Sequence, residues 1–88
     1  MDKERVEGIA TMVAENWRGL GQGTLRLLRE GFPGVAFVAV SASDVTDTPF
    51  RSLPEVDFHY IDTSDHCVRI VYDAASAGGI LLAMKETT

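Results

Sequence analysis

The sequence has one cysteine, no long apolar run and few basic residues in its C-terminal half. A single cysteine excludes an internal disulfide, which is typical of proteins from a reducing compartment. The apolar runs are far shorter than the roughly 18 residues that span a bilayer. The N-terminus carries charges of both signs and is unlike a secretory signal. We therefore expect a cytoplasmic protein that is not inserted in a membrane.

Basic charge is unevenly distributed. Residues 1–34 contain five acidic and five basic side chains, whereas residues 35–84 contain seven acidic and two basic ones. Affinity for nucleic acids depends on clustered Lys and Arg that release counterions from phosphates. The acidic half of the chain disfavours such a surface, and with it a helix-turn-helix interpretation of Arg18, Arg26 and Arg29. We expect no nucleic-acid partner.

The remaining composition is that of one small folded domain, residues 1–88. Residues 3–18 predict a first helix, because apolar side chains recur at spacings of three and four. Gly19 and Gly21 are expected to end this helix, since glycine readily adopts the left-handed conformation. Thr24 is the expected N-cap of a second helix, residues 25–30.

Residues 35–40 form a continuous apolar run. Such a run favours a strand buried on both faces over an edge strand. It implies that something, such as a partner or a second copy, covers this part of the sheet. Residues 41–55 follow as the longest stretch without periodicity, and a loop of that length is usually functional or disordered.

Residues 56–72 predict two strands paired around a polar turn, because β-branched and aromatic residues flank turn-forming ones. A register with a three- or five-residue loop places six large apolar side chains on one face: Val56, Phe58, Tyr60, Val68, Ile70 and Tyr72. It pairs Phe58 with Ile70 and Tyr60 with Val68. Burial of that face, at about 1.5–3 kcal/mol for each side chain, favours this register over a two-residue turn.

The segment 73–86 allows two interpretations. Asp73 could cap a helix to the end of the chain, but Gly78 and Gly79 would weaken it by about 1 kcal/mol each. We prefer one helical turn followed by a strand over residues 80–85. The predicted fold is thus α+β, with two N-terminal helices packed on a mostly antiparallel four-stranded sheet in the order α-α-β-β-β-β.

No constellation of catalytic residues is evident, and no cofactor is expected. The second face of the predicted hairpin is mixed in polarity, which favours an interface with another protein. The interface candidates are Asp57, His59, Ile61, Cys67, Arg69 and Val71, with Phe50 and Leu53 from the preceding loop. Cys67 and His59 lie diagonally across this face, but acidic neighbours disfavour a reactive thiolate.

Acidic residues of the loops form a separate hypothesis. In an antiparallel meander, Asp44, Asp47, Glu55 and Asp73 meet at one end of the sheet. Converging carboxylates can bind a hard cation, although the loop lacks the glycine and the bidentate glutamate of an EF-hand. A solvated, turn-capping loop is the alternative interpretation.

Three groups of residues carry a resemblance over roughly the C-terminal three quarters of the chain. They are Thr24, Leu25, Leu28, Arg29, Phe32, Pro33 and Gly34; Phe58, Tyr60, Asp62, His66 and Cys67; and Asp73, Ala75, Gly79, Ile80 and Ala83. With these residues the chain resembles a family of small, uncharacterised proteobacterial proteins, some of them encoded near nitrogen-fixation genes. The resemblance implies a bacterial accessory protein linked to reduced nitrogen or metalloclusters, and no catalytic residue is carried over.

Two functions follow as hypotheses. The first is a non-enzymatic accessory or interaction protein that binds a protein partner or a second copy of itself. The second is a small-ligand or metal-binding protein, or a minor enzyme, that uses Cys67, His59 and the acidic loop.

Overall fold

The N-terminal part of the protein is a continuous run of helical turns. In the computed structural model, which describes residues 1–64 and 68–85, helix α1 covers Lys3–Leu20 and helix α2 covers Thr24–Gly31. A 3-10 turn, Gly21–Gly23, joins the two. The two separate helices that the sequence predicts are therefore joined into one helical segment, which turns at Gly21 so that Gly31 lies beside Met12.

Two details of the predicted helices differ from the structure. Gly21 does follow the last residue of α1 and has a positive φ of 53°, but Gly19 lies inside the last turn of α1. The backbone N–H of Thr24 bonds to the carbonyl groups of Gln22 and Gly21, so 3-10 hydrogen bonds carry the chain directly into α2. Thr24 is not the N-cap: it is fully buried, and Gly23 occupies the capping position.

Five strands form one mixed sheet. They are β1 (Ala36–Ser41), β2 (Arg51–Ser52), β3 (Val56–Asp62), β4 (Arg69–Val71) and β5 (Gly79–Met84). Strand β5 lies between β1 and β3, parallel to β1 and antiparallel to β3. Strands β2 and β4 both pair antiparallel with β3, β2 towards its start and β4 towards its end.

The fold is α+β, as expected, and three of the four described strand pairs are antiparallel, but the prediction of four strands is wrong, because the sheet has five and includes one parallel pair. The additional strand, β2, lies within residues 41–55, and its two residues are too few to show an alternating pattern. The parallel pair arises because β5 inserts beside β1 instead of completing a meander. This insertion leaves β1 at the edge of the sheet, which contradicts the expectation of an inner strand.

The segment after β4 confirms the turn-plus-strand prediction. A 3-10 turn, Ala74–Ser76, precedes β5, and the Asp73 carboxylate accepts a hydrogen bond from the backbone N–H of Ser76 at 2.9 Å. A β-carbon on Gly79 would overlap the carbonyl oxygen of Ala36 and lie 2.8 Å from the Ala36 β-carbon. Glycine at position 79 is therefore what lets β5 enter so close to β1.

The predicted register of β3 and β4 is wrong. Tyr60 pairs with Val71 and Ile61 with Ile70, a shift of three positions, and an odd shift exchanges the two faces of β4. Strand β3 ends at Asp62 and β4 begins at Arg69, which are farther apart in the chain than the predicted loop allows. The physical reason is that β3 pairs along its length with β5, where Leu82 lies opposite Phe58. The apolar partners of β3 thus come mainly from β5, a segment distant in sequence.

The main core lies between the helices and one face of the sheet, which we call the helix face. Each of its buried members is at most 9% exposed: Ile9, Val13, Leu25, Leu28, Val35, Phe37, Val56, Phe58, Ile80 and Leu82. Trp17 and Phe32 pack against this cluster and are half-buried. At about 1.5–3 kcal/mol for each fully buried large side chain, the cluster holds the helices on the sheet.

The other face of the sheet, the second face, has a smaller cluster. Ile61, Leu81 and Ala83 are buried there, and Ala42 and Val45 from the loop after β1 pack against them. The chain's own loop therefore supplies part of the cover that the sequence assigned to a partner.

Candidate functional site

The first candidate site is the outer edge of β1. On the inner side of this strand, the backbone N–H of Ala36 donates to the carbonyl of Gly78 at 3.2 Å. Because backbone groups alternate in direction along a strand, those of Phe37, Ala39 and Ser41 point outward. Among the described residues, no strand pairs with this side of β1.

The sequence of β1 is unusual for an edge strand. It reads Ala-Phe-Val-Ala-Val-Ser and contains no charged residue, proline or glycine. Edge strands are commonly protected from pairing by charges, bulges, proline or short length. Here a guanidinium nitrogen of Arg29 donates to the carbonyl oxygen of Phe37 at 3.2 Å. Strand β1 thus occupies an edge position but has the amino-acid composition of an inner strand.

The second candidate site is a cleft on the outer side of β3. Strand β2 pairs with Phe58, and β4 begins to pair at Tyr60, so the edge of β3 is interrupted at His59. A cleft of about 220 Å³ opens at this interruption. The loop contributes Thr48, Pro49 and Phe50, the end of β4 contributes Val71 and Tyr72, and His59 and Tyr60 lie between them.

His59 is the most deeply buried polar residue of the cleft. It is 3% exposed, and its Nδ1 atom is buried without a hydrogen-bond partner among the described residues. Burial lowers the pKa of His59 below its ordinary value, while the carboxylates of Asp57 and Asp47 oppose this shift. The imidazole is therefore neutral at neutral pH, with one donor and one acceptor nitrogen.

A hydrogen bond joins the two walls of the cleft. The Tyr72 hydroxyl donates to the Asp47 carboxylate, and this bond raises the pKa of Tyr72, with smaller contributions from burial and from the Asp47 charge. Tyr72 is 71% exposed, so the bond lies at the rim. Among the described residues that line the cleft there is no Lys or Arg, which leaves Asp47 as a negative charge at its entrance.

A stacked aromatic pair separates the cleft from a second cavity. The rings of Phe50 and Tyr60 lie 3.8 Å apart at an angle of 2°. The cavity of about 260 Å³ on their other side includes Glu7 and Arg51, which form a bidentate ion pair. Because no described residue that lines this cavity has a buried polar atom without a partner, whereas His59 does, we regard the His59 cleft as the better candidate for a ligand.

The structure divides the predicted interface residues among several places. Phe50, His59 and Val71 line the cleft, whereas Ile61 is fully buried in the second-face cluster and Leu53 packs against the main core. The role of all these residues in an interface stays a prediction.

The remaining candidates are equally dispersed. Asp57 accepts hydrogen bonds from Ser52 at 2.6 Å and pairs with Lys85 at 3.0 Å; burial would raise its pKa, but these contacts lower it. The shifted register places Arg69 and Val71 on the helix face, opposite to the prediction, and Arg69 pairs with Asp62 at 3.3 Å. Cys67 lies outside the described residues.

The four predicted cation ligands bind other groups or lie apart. Asp47 accepts from Tyr72, Glu55 pairs with Arg18 at 2.7 Å, and Asp73 caps the turn before β5. Asp44 is an exposed residue of the turn after β1. Within residues 1–64 and 68–85, no group of three or more His, Cys, Asp or Glu could hold a metal ion.

Some contributors to the two sites carry no recognisable sequence signal. Thr48 and Pro49 resemble any loop residues, and Tyr72 continues the apolar alternation of its strand and is therefore predicted to be core. The outward position of Ala39 depends on where β5 inserts. The continuous apolar run of β1 is the signal in the sequence that points to a partner at this edge.

Comparison with known families matches residues 13–85 to a family model. The chain belongs to DUF6129, a family of unknown function. The matched region of this DUF6129 chain includes both candidate sites. No curated protein and no solved structure matches it. Among its described residues, no helix is both long and apolar enough to cross a membrane.

Proposed function

We propose that this protein is a non-enzymatic interaction module that pairs with another strand through the outer edge of β1. The observation that carries this proposal is the uncharged, apolar sequence of β1 at the edge of the sheet. An added strand would satisfy the outward backbone groups of Phe37, Ala39 and Ser41. It would also extend the cover over Val38 and Val40, which are half-buried on the second face.

A second copy of the chain is the partner that fits this edge best. In a two-fold antiparallel arrangement centred on Ala39, the outward residues lie opposite one another, Phe37 facing Ser41 of the second copy. Val38 then faces Val40 of the second copy, a favourable β-branched pair. No like charges meet, because β1 carries none. Arg29 must release the carbonyl of Phe37 for the outermost hydrogen bonds to form.

Substitution by proline tests this arrangement. The N–H of Ala39 points away from β5, so Ala39→Pro removes a donor that only pairing uses, and proline is tolerated at such edge positions. We expect Ala39→Pro to fold and to be monomeric in analytical ultracentrifugation, while the wild-type chain forms dimers. Val40→Pro is the matched control, because its N–H faces β5 and proline there removes a hydrogen bond of the sheet, which should lower the folding stability. A monomeric wild-type chain, or an Ala39→Pro variant that still dimerises, contradicts the proposal.

Cross-linking tests the register. Residues in a hydrogen-bonded antiparallel pair have α-carbons about 5.5 Å apart, which suits a disulfide. In a Cys67→Ser background, Ala39→Cys is expected to form a disulfide-linked dimer on mild oxidation. Ser43→Cys, in the exposed turn after β1, should remain largely uncross-linked.

The biological setting is a further part of the proposal. The resemblance described above supports a bacterial cytoplasmic accessory protein in the metabolism of reduced nitrogen or metalloclusters. If so, loss of the protein slows growth on dinitrogen and not on ammonium. Equal growth of a deletion strain and its parent on both would contradict this setting.

The second candidate function is small-ligand binding, and the cleft beside His59 favours it. His59 lines the cleft, and Asp47 accepts a hydrogen bond from the lining residue Tyr72 and acts on His59 electrostatically. Both belong to the residue set that the sequence suggests for a ligand site. It is remote from β1 in the strand order, so the two functions are compatible and separately testable.

A further inference from the structure

We propose that the cleft beside His59 binds a small arylalkylamine, with the ammonium group on the Asp47 carboxylate and the ring against Pro49 and Val71. This inference rests on the second candidate function, ligand binding at the cleft, and is independent of strand pairing at β1. Its basis is the size of the cleft, its apolar walls, its charge and the buried imidazole.

The size of the cleft sets the size of the ligand. A volume of about 220 Å³ holds about seven water-sized groups, which is below the range of a typical drug-binding pocket. Phe50, Tyr60 and Val71 provide flat or apolar surface around it. A single aromatic ring with a short substituent matches this space, whereas a nucleotide or a peptide exceeds it.

The charge of the cleft sets the charge of the ligand. Among the described lining residues there is no Lys or Arg to bind an anion, and Asp47 stands at the rim. Asp47 and Asp57 are both close enough to His59 to act on it electrostatically. Because Asp57 already pairs with Lys85 at 3.0 Å, Asp47 is the carboxylate that attracts a cation and repels a carboxylate or a phosphate.

The buried imidazole is consistent with such a ligand. His59 is neutral at neutral pH because burial disfavours its charged form, so it does not repel an ammonium group. Its Nδ1 atom lacks a partner among the described residues, and an unpaired buried polar atom destabilises the free protein.

The bond between Tyr72 and Asp47 competes with the ligand. The Tyr72 hydroxyl occupies the carboxylate in the free protein, and an ammonium group must displace it or share the oxygen atoms. Removal of that hydroxyl therefore makes Asp47 more available. Tyr72→Phe is therefore a substitution within the site that should strengthen ligand binding.

Three probes of nearly equal size test the proposal: benzylamine, benzyl alcohol and benzoate, which are cationic, neutral and anionic at neutral pH. Each is titrated into the full chain, and backbone amide shifts are followed by NMR. Benzylamine is expected to shift the amides of Phe50, His59 and Val71 saturably, with a dissociation constant of about 1–10 mM for a ligand of this size. Benzyl alcohol should bind more weakly, and benzoate should leave these amides unchanged.

Three variants sharpen the test. Asp47→Asn should weaken benzylamine binding up to about fivefold, the value of a partly exposed ion pair, while the matched control Asp44→Asn leaves it unchanged. Tyr72→Phe should strengthen it. The proposal fails if benzylamine produces no saturable shift at the cleft, if benzoate binds as tightly as benzylamine, or if Asp47→Asn binds benzylamine as the wild-type chain does. Ala39→Pro, which lacks strand pairing, should bind benzylamine like the wild-type chain, so failure at one site is distinguishable from failure at the other.

Discussion

The two outer edges of the sheet differ in continuity. At one edge, β1 presents six consecutive uncharged residues with their outward backbone groups in a row. At the other, β2 and β4 cover the start and the end of β3 and leave a gap at His59. The gap has polar groups at its base and rim, whereas the β1 edge has Arg29 at one carbonyl.

This difference indicates what each edge can bind. A continuous row of backbone donors and acceptors matches another strand, which uses the same repeat. An interrupted edge cannot accept a strand, but the missing segment leaves a concave space that suits a small molecule. One small sheet thus offers two kinds of binding surface, and their separation depends on β5, which lies between β1 and β3.

The largest change in folding stability is expected at the start of β5, the strand that lies between β1 and β3. Gly79→Ala places a β-carbon against the carbonyl oxygen and the β-carbon of Ala36, and this overlap involves backbone that cannot move without disturbing the β1–β5 pairing. We expect a loss of about 1–3 kcal/mol in the free energy of unfolding, measured by urea denaturation.

Gly19→Ala is the matched control for that substitution. A β-carbon on Gly19 has no neighbour within 4 Å, and position 19 is helical. The same chemical change should therefore stabilise the protein by about 0.4–1 kcal/mol. Equal stability of Gly79→Ala and the wild-type chain would show that the close approach of β5 to β1 is not needed.

A smaller change in folding stability is expected from His59 at the interrupted edge, and this change depends on pH. The pKa of His59 is lower in the folded chain than its ordinary value of 6.5 because the imidazole is buried. The unfolded state therefore binds more protons near this pH, so stability is highest above about pH 6.5 and falls as the pH decreases. Urea denaturation of the wild-type chain between pH 7.5 and pH 5 should show this loss.

His59→Leu separates this effect from other titrations. The variant should lose less stability on acidification than the wild-type chain, whatever its stability at pH 7.5. His66 is present in both chains, so its own titration largely cancels in the comparison. Parallel pH profiles would mean that His59 titrates in the folded state as it does in the unfolded one.

Local patterns predicted the elements of this fold better than their arrangement. The apolar spacing in residues 3–18 predicted α1, and Val6, Ile9 and Val13 are indeed buried on it. The turn at Asp73 and the strand after it were also predictable, because side-chain capping and glycine placement act over a few residues. The 3-10 junction between the helices was not predictable in this way, because Thr24 is buried inside the fold and does not cap α2.

The sequence alone did not predict which strands pair with each other. Phe58 and Tyr60 have the alternation of a half-buried strand, but nothing local distinguishes β4 from β5 as the main partner. The long-range pairing buries Leu82 and Ile80 opposite them, and this burial outweighs the local hairpin register. For the same reason the sites were only partly predictable: His59 was a candidate, but the gap beside it exists because β4 is displaced along β3.

By itself, the sequence determined that this chain is α+β, which residues of α1 form its buried stripe, and that residues 36–40 have the composition of an enclosed strand. These properties depend on side-chain chemistry and on the period of the backbone, which neighbouring residues share. Only the tertiary structure decided that β1 is an edge and that β3 is interrupted at His59. Both follow from the insertion of β5 between β1 and β3, which is stabilised by contacts between residues far apart in the chain.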